Sequence, residues 1–253
     1  MSNEFPTWSY DNHLSYYLML LGRFGGKSLE SIDHFPDRMA LNGQWQNLLD
    51  QMRNESQDGI ERWAYIGINE DRGTVALSEK SVRGEANRIP HDVAQNEKER
   101  AIETKEVTNF VGRIHSHPKI INWQYGDLKG AFSDIGWFSA ADLYFLVHRR
   151  PEYLTVLVEG DDNLFAFRTR ESHSKDDLRY LGFFGPKEQK GFEKYWCEKN
   201  GIILVDGHRA KSVAGNKFNN SDRERLNLSI AERHKLVFYR GKTLNNLAKI
   251  YPR

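Results

Sequence analysis

Apolar residues recur along this chain in two rhythms, one of three to four residues and one of two, and their alternation predicts interleaved helices and strands. Trp45, Leu48, Leu49 and Met52 fall at helical spacing, and Ser56-Gln57-Asp58-Gly59 then supplies turn residues that end the helix. Residues 61–68 and 74–77 are rich in β-branched and aromatic side chains and flank Asn69-Glu70-Asp71-Arg72-Gly73, which predicts a hairpin. Residues 92–106 carry many Glu, Lys, Gln and Ala, with Val93, Ile102 and Val107 as sparse apolar points, and predict a solvent-facing helix. Residues 110–117 read as a buried strand stopped by Pro118, which has no N–H to give a sheet ladder.

An irregular stretch follows. Ser139 then opens a helix through Val147, and residues 154–158 and 164–167 flank Gly160-Asp161-Asp162-Asn163 as a second hairpin. From about Glu171 the pattern changes. Gly182-Phe183-Phe184-Gly185-Pro186 precedes a helix near 187–199, and Ile202–Val205 is closed by Asp206 and Gly207. Ser221 with Glu224 has capping-box spacing ahead of a helix carrying Leu226, Leu228 and Ile230, and the basic residues Arg240, Lys242, Lys249 and Arg253 lie in the tail. The expected organisation is an N-terminal extension over 1–44, a mixed α/β (more strictly α+β) domain over 45–170, and a C-terminal helical and mixed extension over 171–253. No period of the solenoid or propeller kind repeats.

Composition narrows the partners. The formal net charge of +1 gives no global field toward nucleic acid or an anionic membrane, so neither is an expected partner. The single cysteine, Cys197, excludes an internal disulfide framework and a multi-thiolate zinc site, and it fits a reducing compartment, with the cytoplasm as the expected location. Residues 1–13 lack a secretory pattern, and the apolar run from Tyr16 to Leu21 is too short to span a bilayer.

Candidate chemistry centres on His115 and His117, two residues apart on a strand and therefore on one face. One metal ion can accept both imidazoles. Zinc favours nitrogen and oxygen donors in tetrahedral geometry, and a catalytic site needs a third protein ligand and an open position. Asp142, in the first turn of the helix opened by Ser139, is the best third donor, because a helix start can meet a strand end across a short cleft. Ser139 and Asp142 also have the spacing of a helix cap, so that reading stands beside the ligand reading. His91, His148, His173, His208 and His234 lack paired spacing and read as structural or surface residues, and Cys197 reads as a small buried side chain.

In their order, these residues resemble the JAMM, or MPN-plus, zinc metallopeptidases. That family's pattern is a Glu on an early strand, then HxHP, then SxxD. Here it reads Glu61, with the small residue Ala64 three positions on, then His115-Ser116-His117-Pro118, then Ser139-Ala140-Ala141-Asp142. The resemblance covers roughly residues 45–168. It implies an MPN-type, cytidine-deaminase-like mixed β-sheet flanked by helices. It implies zinc (Zn2+) on His115, His117 and Asp142, with Glu61 as general base and Ser139 polarising the scissile carbonyl. The implied activity is that of a peptidase or isopeptidase on a protein or peptide substrate, such as the C-terminal tail of a ubiquitin-like protein. Glu70, Glu79 and Glu85 remain rivals to Glu61.

The interval 119–138 is longer than the family's and holds Trp123, Tyr125, Phe132 and Trp137, a set suited to a substrate-specificity loop. Two other readings stay open, a catalytically inactive MPN scaffold for protein interaction and a metal-dependent nuclease or phosphoesterase.

Overall fold

The computed structural model describes residues 35, 37–39, 41, 43–69, 71–72, 74–84, 91–117, 120–125, 128–133, 136–148, 154–169, 172, 188–205, 209–212 and 220–252. In chain order its elements are β1 (Arg38–Met39), α1 (Gly43–Glu55), β2 (Arg62–Asn69), β3 (Thr74–Leu77), β4 (Val82–Arg83), α2 (His91–Glu103) and β5 (Asn109–Ser116). They continue with β6 (Ile120–Tyr125), β7 (Leu128–Ser133), α3 (Ala140–His148), β8 (Leu154–Glu159), β9 (Asp162–Arg168) and α4 (Glu188–Lys199). The last are β10 (Ile202–Val205), β11 (Arg209–Ser212), α5 (Asn220–His234), β12 (Leu236–Gly241) and β13 (Leu247–Tyr251).

An open sheet in the spatial order β1-β13-β12-β9-β8-β5-β2-β3, with β4 also on β2, forms the centre. β5 and β8 run parallel, and the other described pairs of this sheet are antiparallel. The expected mixed architecture of a sheet flanked by helices is therefore present. Both faces are buried, so its inner strands are nearly continuous apolar runs that still sort by parity. Ala64, Ile66 and Ile68 of β2, Leu154, Val156 and Val158 of β8, Phe165 and Phe167 of β9, and Val237 and Tyr239 of β12 pack with Leu48, Leu49 and Met52 of α1. The alternate residues Leu157, Leu164, Ala166, Leu236 and Phe238 meet α3, α4 and α5, while Trp63 and Tyr65 meet Ala101 of α2. In β5 a register shift opposite Ile66 and Gly67 lets Val111 and Ile114, three apart, share the α1 face.

The boundary drawn at residue 171 does not divide this sheet. β12 pairs with β9, Val237 opposite Phe167 and Phe238 opposite Ala166, and β13 pairs with β12 and β1. Leu236–Tyr239 alternate large side chains that need cover on both faces, and β9 offers an open edge that would otherwise be left unpaired. Two of the basic tail residues are built into the fold rather than only solvated: Arg240 donates to Asp162 Oδ2 (3.0 Å) and Lys249 to the Phe35 carbonyl (2.9 Å). Near the other terminus Phe35, Met39 and Leu41 are buried in the α1-side core, so part of the expected N-terminal extension belongs to it. The runs at 16–21 and 182–186 and the residue Arg253 lie outside the described residues. Among the described residues no helix is long and apolar enough to cross a membrane.

β5 and β8 come close at Gly112, where any Cβ would collide with the Leu154 carbonyl. Backbone cannot swing aside as a side-chain tip can, so Gly112→Ala is expected to cost about 1–3 kcal/mol, the usual range for overpacking. The urea midpoint measures it; an unchanged midpoint would mean that the two strands tolerate a wider spacing.

Candidate metal centre

A parallel pair of neighbouring strands cannot be joined by a tight turn, so the chain must cross over between β5 and β8. α3 is the helix of that crossover. It starts beyond the carboxyl end of β5 and returns across the sheet, which brings its first turn to the place where β5 ends. On β5, His115 and His117 are two apart and face the same side as Trp63, the residue paired with His115 on β2. Both histidines are buried.

There Asp142 meets them. His115 Nε2 lies 3.3 Å from Asp142 Oδ1, and His117 Nε2 lies 3.5 Å from Asp142 Oδ2. The imidazole centroids are 5.1 Å apart, and Phe138 closes one side of His115 at 6.1 Å. One donor atom from each of the three residues lies within 4.8 Å of the others, so the group could hold a metal ion. Sequence spacing had assembled these same three residues.

Ser139 caps α3. Its Oγ accepts from the Asp142 N–H (3.1 Å) and donates to Asp142 Oδ2 (2.7 Å), while the Ser139 N–H donates to the same oxygen (2.8 Å). This is a capping box with Asp in the place of Glu. The cap and the ligand readings therefore coexist: Oδ2 takes the cap bonds, and Oδ1 is left toward His115. Arg113, two residues before His115, donates from Nη2 to the Asp142 carbonyl (2.9 Å) and lays its guanidinium 4.6 Å from the Phe145 ring centroid. The aspartate is thus held through both its side chain and its backbone.

Burial pushes the His115 pKa down, against the opposing pull of Asp142, so the ring is neutral and keeps a lone pair. Burial also works against the charge of Asp142, yet His115 and His117 outweigh it and hold that carboxyl well below the usual range. Both ring nitrogens of His115 are buried without a well-formed hydrogen bond. A buried polar atom left so costs about 1–3 kcal/mol. A cation would satisfy the lone pair, and two imidazole nitrogens beside one carboxylate oxygen form a fitting donor set for it.

Other expected residues fall as follows. Arg62 pairs with Ser116, and continuing that register by one step sets Glu61 against His117; Glu61 is partly buried. Glu79 is exposed after β3, and Glu70 and Glu85 lie outside the described residues. In the interval 119–138, β6 and β7 pair antiparallel as a hairpin with Trp123 opposite Gly130. Gly126-Asp127 between them is a favoured two-residue hairpin pair, a signal that reading the stretch as irregular missed. Trp137 is core rather than loop, with its ring 6.5 Å from Phe238, because the sheet face beneath it needs cover. His234 is buried against Phe192 and Trp196, a structural place as expected. Cys197 is buried as well, and burial and Glu193 push its thiol up to about 12.

Two carboxylates near the centre escaped the sequence reading. Glu159 ends β8 one step past the Ser116–Val158 pair, which continued by one step sets it against His117, and it is buried. Glu193 of α4 has its pKa raised by burial and by the Asp142 charge, against Arg223 and Lys190. Both come from segments distant in sequence from the motif. No family model, curated protein or solved structure matches the chain.

The electrostatics predict a pH response of stability in chelator-treated protein. Because the folded pKa of His115 lies below its unfolded value of about 6.5, the unfolded chain binds the extra proton first, and stability falls as pH drops through 6.5. The depressed pKa of Asp142 adds a second loss below its unfolded value of about 4. Urea midpoints from pH 7 to 5 should fall less steeply in His115→Gln than in the wild type. Equal slopes would show that His115 does not titrate as described.

Proposed function

We propose that the chain is a zinc-dependent peptidase or isopeptidase of the JAMM (MPN-plus) type that hydrolyses an amide bond. The observation that carries this reading is the buried trio of His115, His117 and Asp142, with donor atoms within 4.8 Å of one another at the end of a strand. Two nitrogens and one carboxylate oxygen suit zinc better than magnesium or calcium, which favour all-oxygen sets. A zinc ion there would act as a Lewis acid on a carbonyl and lower the pKa of water to about 7.

The chain's own groups divide the remaining work. Glu61, across the ladder from His117, takes the proton of the attacking water and returns it to the leaving amine. Ser139 fixes the start of α3, and its hydroxyl, with its proton turned from Asp142 Oδ2, donates to the scissile carbonyl. Arg113 keeps the Asp142 backbone in register with the strand. The substrate is an extended peptide that pairs as an added strand, such as the glycine-ended tail of a ubiquitin-like protein, with the β6–β7 hairpin beside it. Glu159 is a second carboxylate beside His117, so the identity of the base has to be tested directly.

Elemental analysis of protein purified without added metal tests the reading first, and stoichiometric zinc is expected. His117→Ala should lose both zinc and activity on a peptide-amide substrate, whereas Glu61→Gln should keep zinc and lose about 10²–10⁴-fold in kcat. Zinc-free wild-type protein would favour a scaffold, and stoichiometric iron would move the centre to the chemistry of two-histidine, one-carboxylate iron sites. Salt-sensitive DNA cleavage by the zinc form would favour the nuclease reading. Full activity in Glu61→Gln would transfer the base role, with Glu159 next to be replaced.

A further inference from the structure

The three residues before Ser139 are held from several directions at once. The Gly136 N–H donates to Glu159 Oε2 at 2.5 Å. The Trp137 carbonyl accepts from Arg223 Nη1 at 3.3 Å, and the Phe138 carbonyl accepts from Asn227 Nδ2 at 2.8 Å. Above the backbone, the Arg240 guanidinium covers the Trp137 ring at 5.2 Å, and the Phe138 ring sits 6.1 Å from His115 and 6.0 Å from Phe238. Gly136 has φ +65°, a backbone conformation that favours glycine, and the Arg240 guanidinium lies close over it.

Asn227 and Glu159 are both buried, Asn227 fully so. A buried polar side chain is kept at a cost, and an apolar side chain of similar branched shape would avoid it. What Asn227 adds is a directed bond to a carbonyl 89 positions away in sequence. The carbonyl belongs to the residue that precedes the α3 cap. α3 has nine residues, too few to hold its own first turn in place without tertiary support. Ligand positions in a metal site must be right to within about 0.5 Å, so the anchoring of this turn decides where Asp142 stands.

We propose that Asn227 and Glu159 are positioning residues of the metal centre, clamping the Gly136–Phe138 segment so that Ser139 and Asp142 stand over the two imidazoles. The role in metal binding rests on the reading of the trio as a metal site; the clamp itself does not. The C-terminal helix α5 is on this account part of the centre's scaffold, although none of its residues belongs to the trio.

Amide hydrogen exchange of the full chain in chelator tests the clamp without metal. The Asp142 and Leu143 amides bond to Ser139 and report the first turn of α3 directly. In Asn227→Ala and Glu159→Ala their exchange should quicken by about ten-fold or more, while the Val156 and Leu157 amides of β8 keep their wild-type protection. Glu159→Gln retains an acceptor and should restore slow exchange; if Asn227→Ala does not fold, Asn227→Leu keeps the branched shape in a somewhat larger side chain and removes the amide donor. Zinc affinity, measured against a chromophoric chelator, should fall about 10–100-fold in the clamp-breaking variants and recover in Glu159→Gln. Exchange at Asp142 and Leu143 that changes no more than at β8 overturns the proposal. So does a Glu159→Gln variant as impaired as Glu159→Ala, or quickened exchange with unaltered zinc affinity. A wild type that binds no zinc overturns the zinc reading alone, and the exchange result then decides the clamp.

Discussion

The parallel pairing of β5 with β8 is the constraint from which the rest of the centre follows. Two strands that run the same way must be linked by a crossover, and a helix laid across the sheet face has to start near the carboxyl end of the first strand. That end carries His115 and His117, and that start carries Asp142. Open sheets with such crossovers bind ligands beyond the carboxyl ends of their strands for the same reason, because the chain leaves the sheet there and opens a crevice. Topology alone brings a strand pair and a helix turn together from residues far apart in the chain.

Where the strand end meets the helix start, solvent exclusion and charge act in one direction. Burial keeps His115 neutral, and the two imidazoles keep Asp142 anionic. The cap bonds from Ser139 and the Arg113 bond to the Asp142 carbonyl hold the aspartate while leaving Oδ1 turned toward His115. His115 and Asp142 are therefore in the protonation states a cation needs before any cation arrives. The cost is a buried imidazole with nitrogens lacking good partners, and the well-packed apolar layers on both sides of the sheet can carry it.

How much of this was legible in the residues differs from element to element. Local patterns sufficed for α1, for the β2–β3 and β8–β9 hairpins and for β5, since each announces itself within a dozen residues through periodicity and turn chemistry. The trio could be assembled from His115, His117 and Asp142 because a strand's parity and a helix's first turn are both short-range facts. Partnerships that close only over long distances were not legible. Nothing local tells that Leu236–Gly241 returns to pair with β9, that Trp137 turns into the core, or that Glu159 and Asn227 converge on one short backbone segment. The β6–β7 hairpin was missed for another reason, a turn signal overlooked among aromatic residues that suggested a loop.

The place of β12 in the sheet also bears on when the centre can come into being. A ribosome delivers residues at about 5–20 per second, and a strand that pairs with β9 emerges after the trio has been synthesised, by a delay on the order of ten seconds. Until then β9 shows a bare edge to its surroundings, and the segment ahead of α3 lacks the grip of Asn227. The nascent chain would thus hold its three donors in hand for many seconds before it could set them in final array, with assembly deferred until Leu236–Gly241 has emerged.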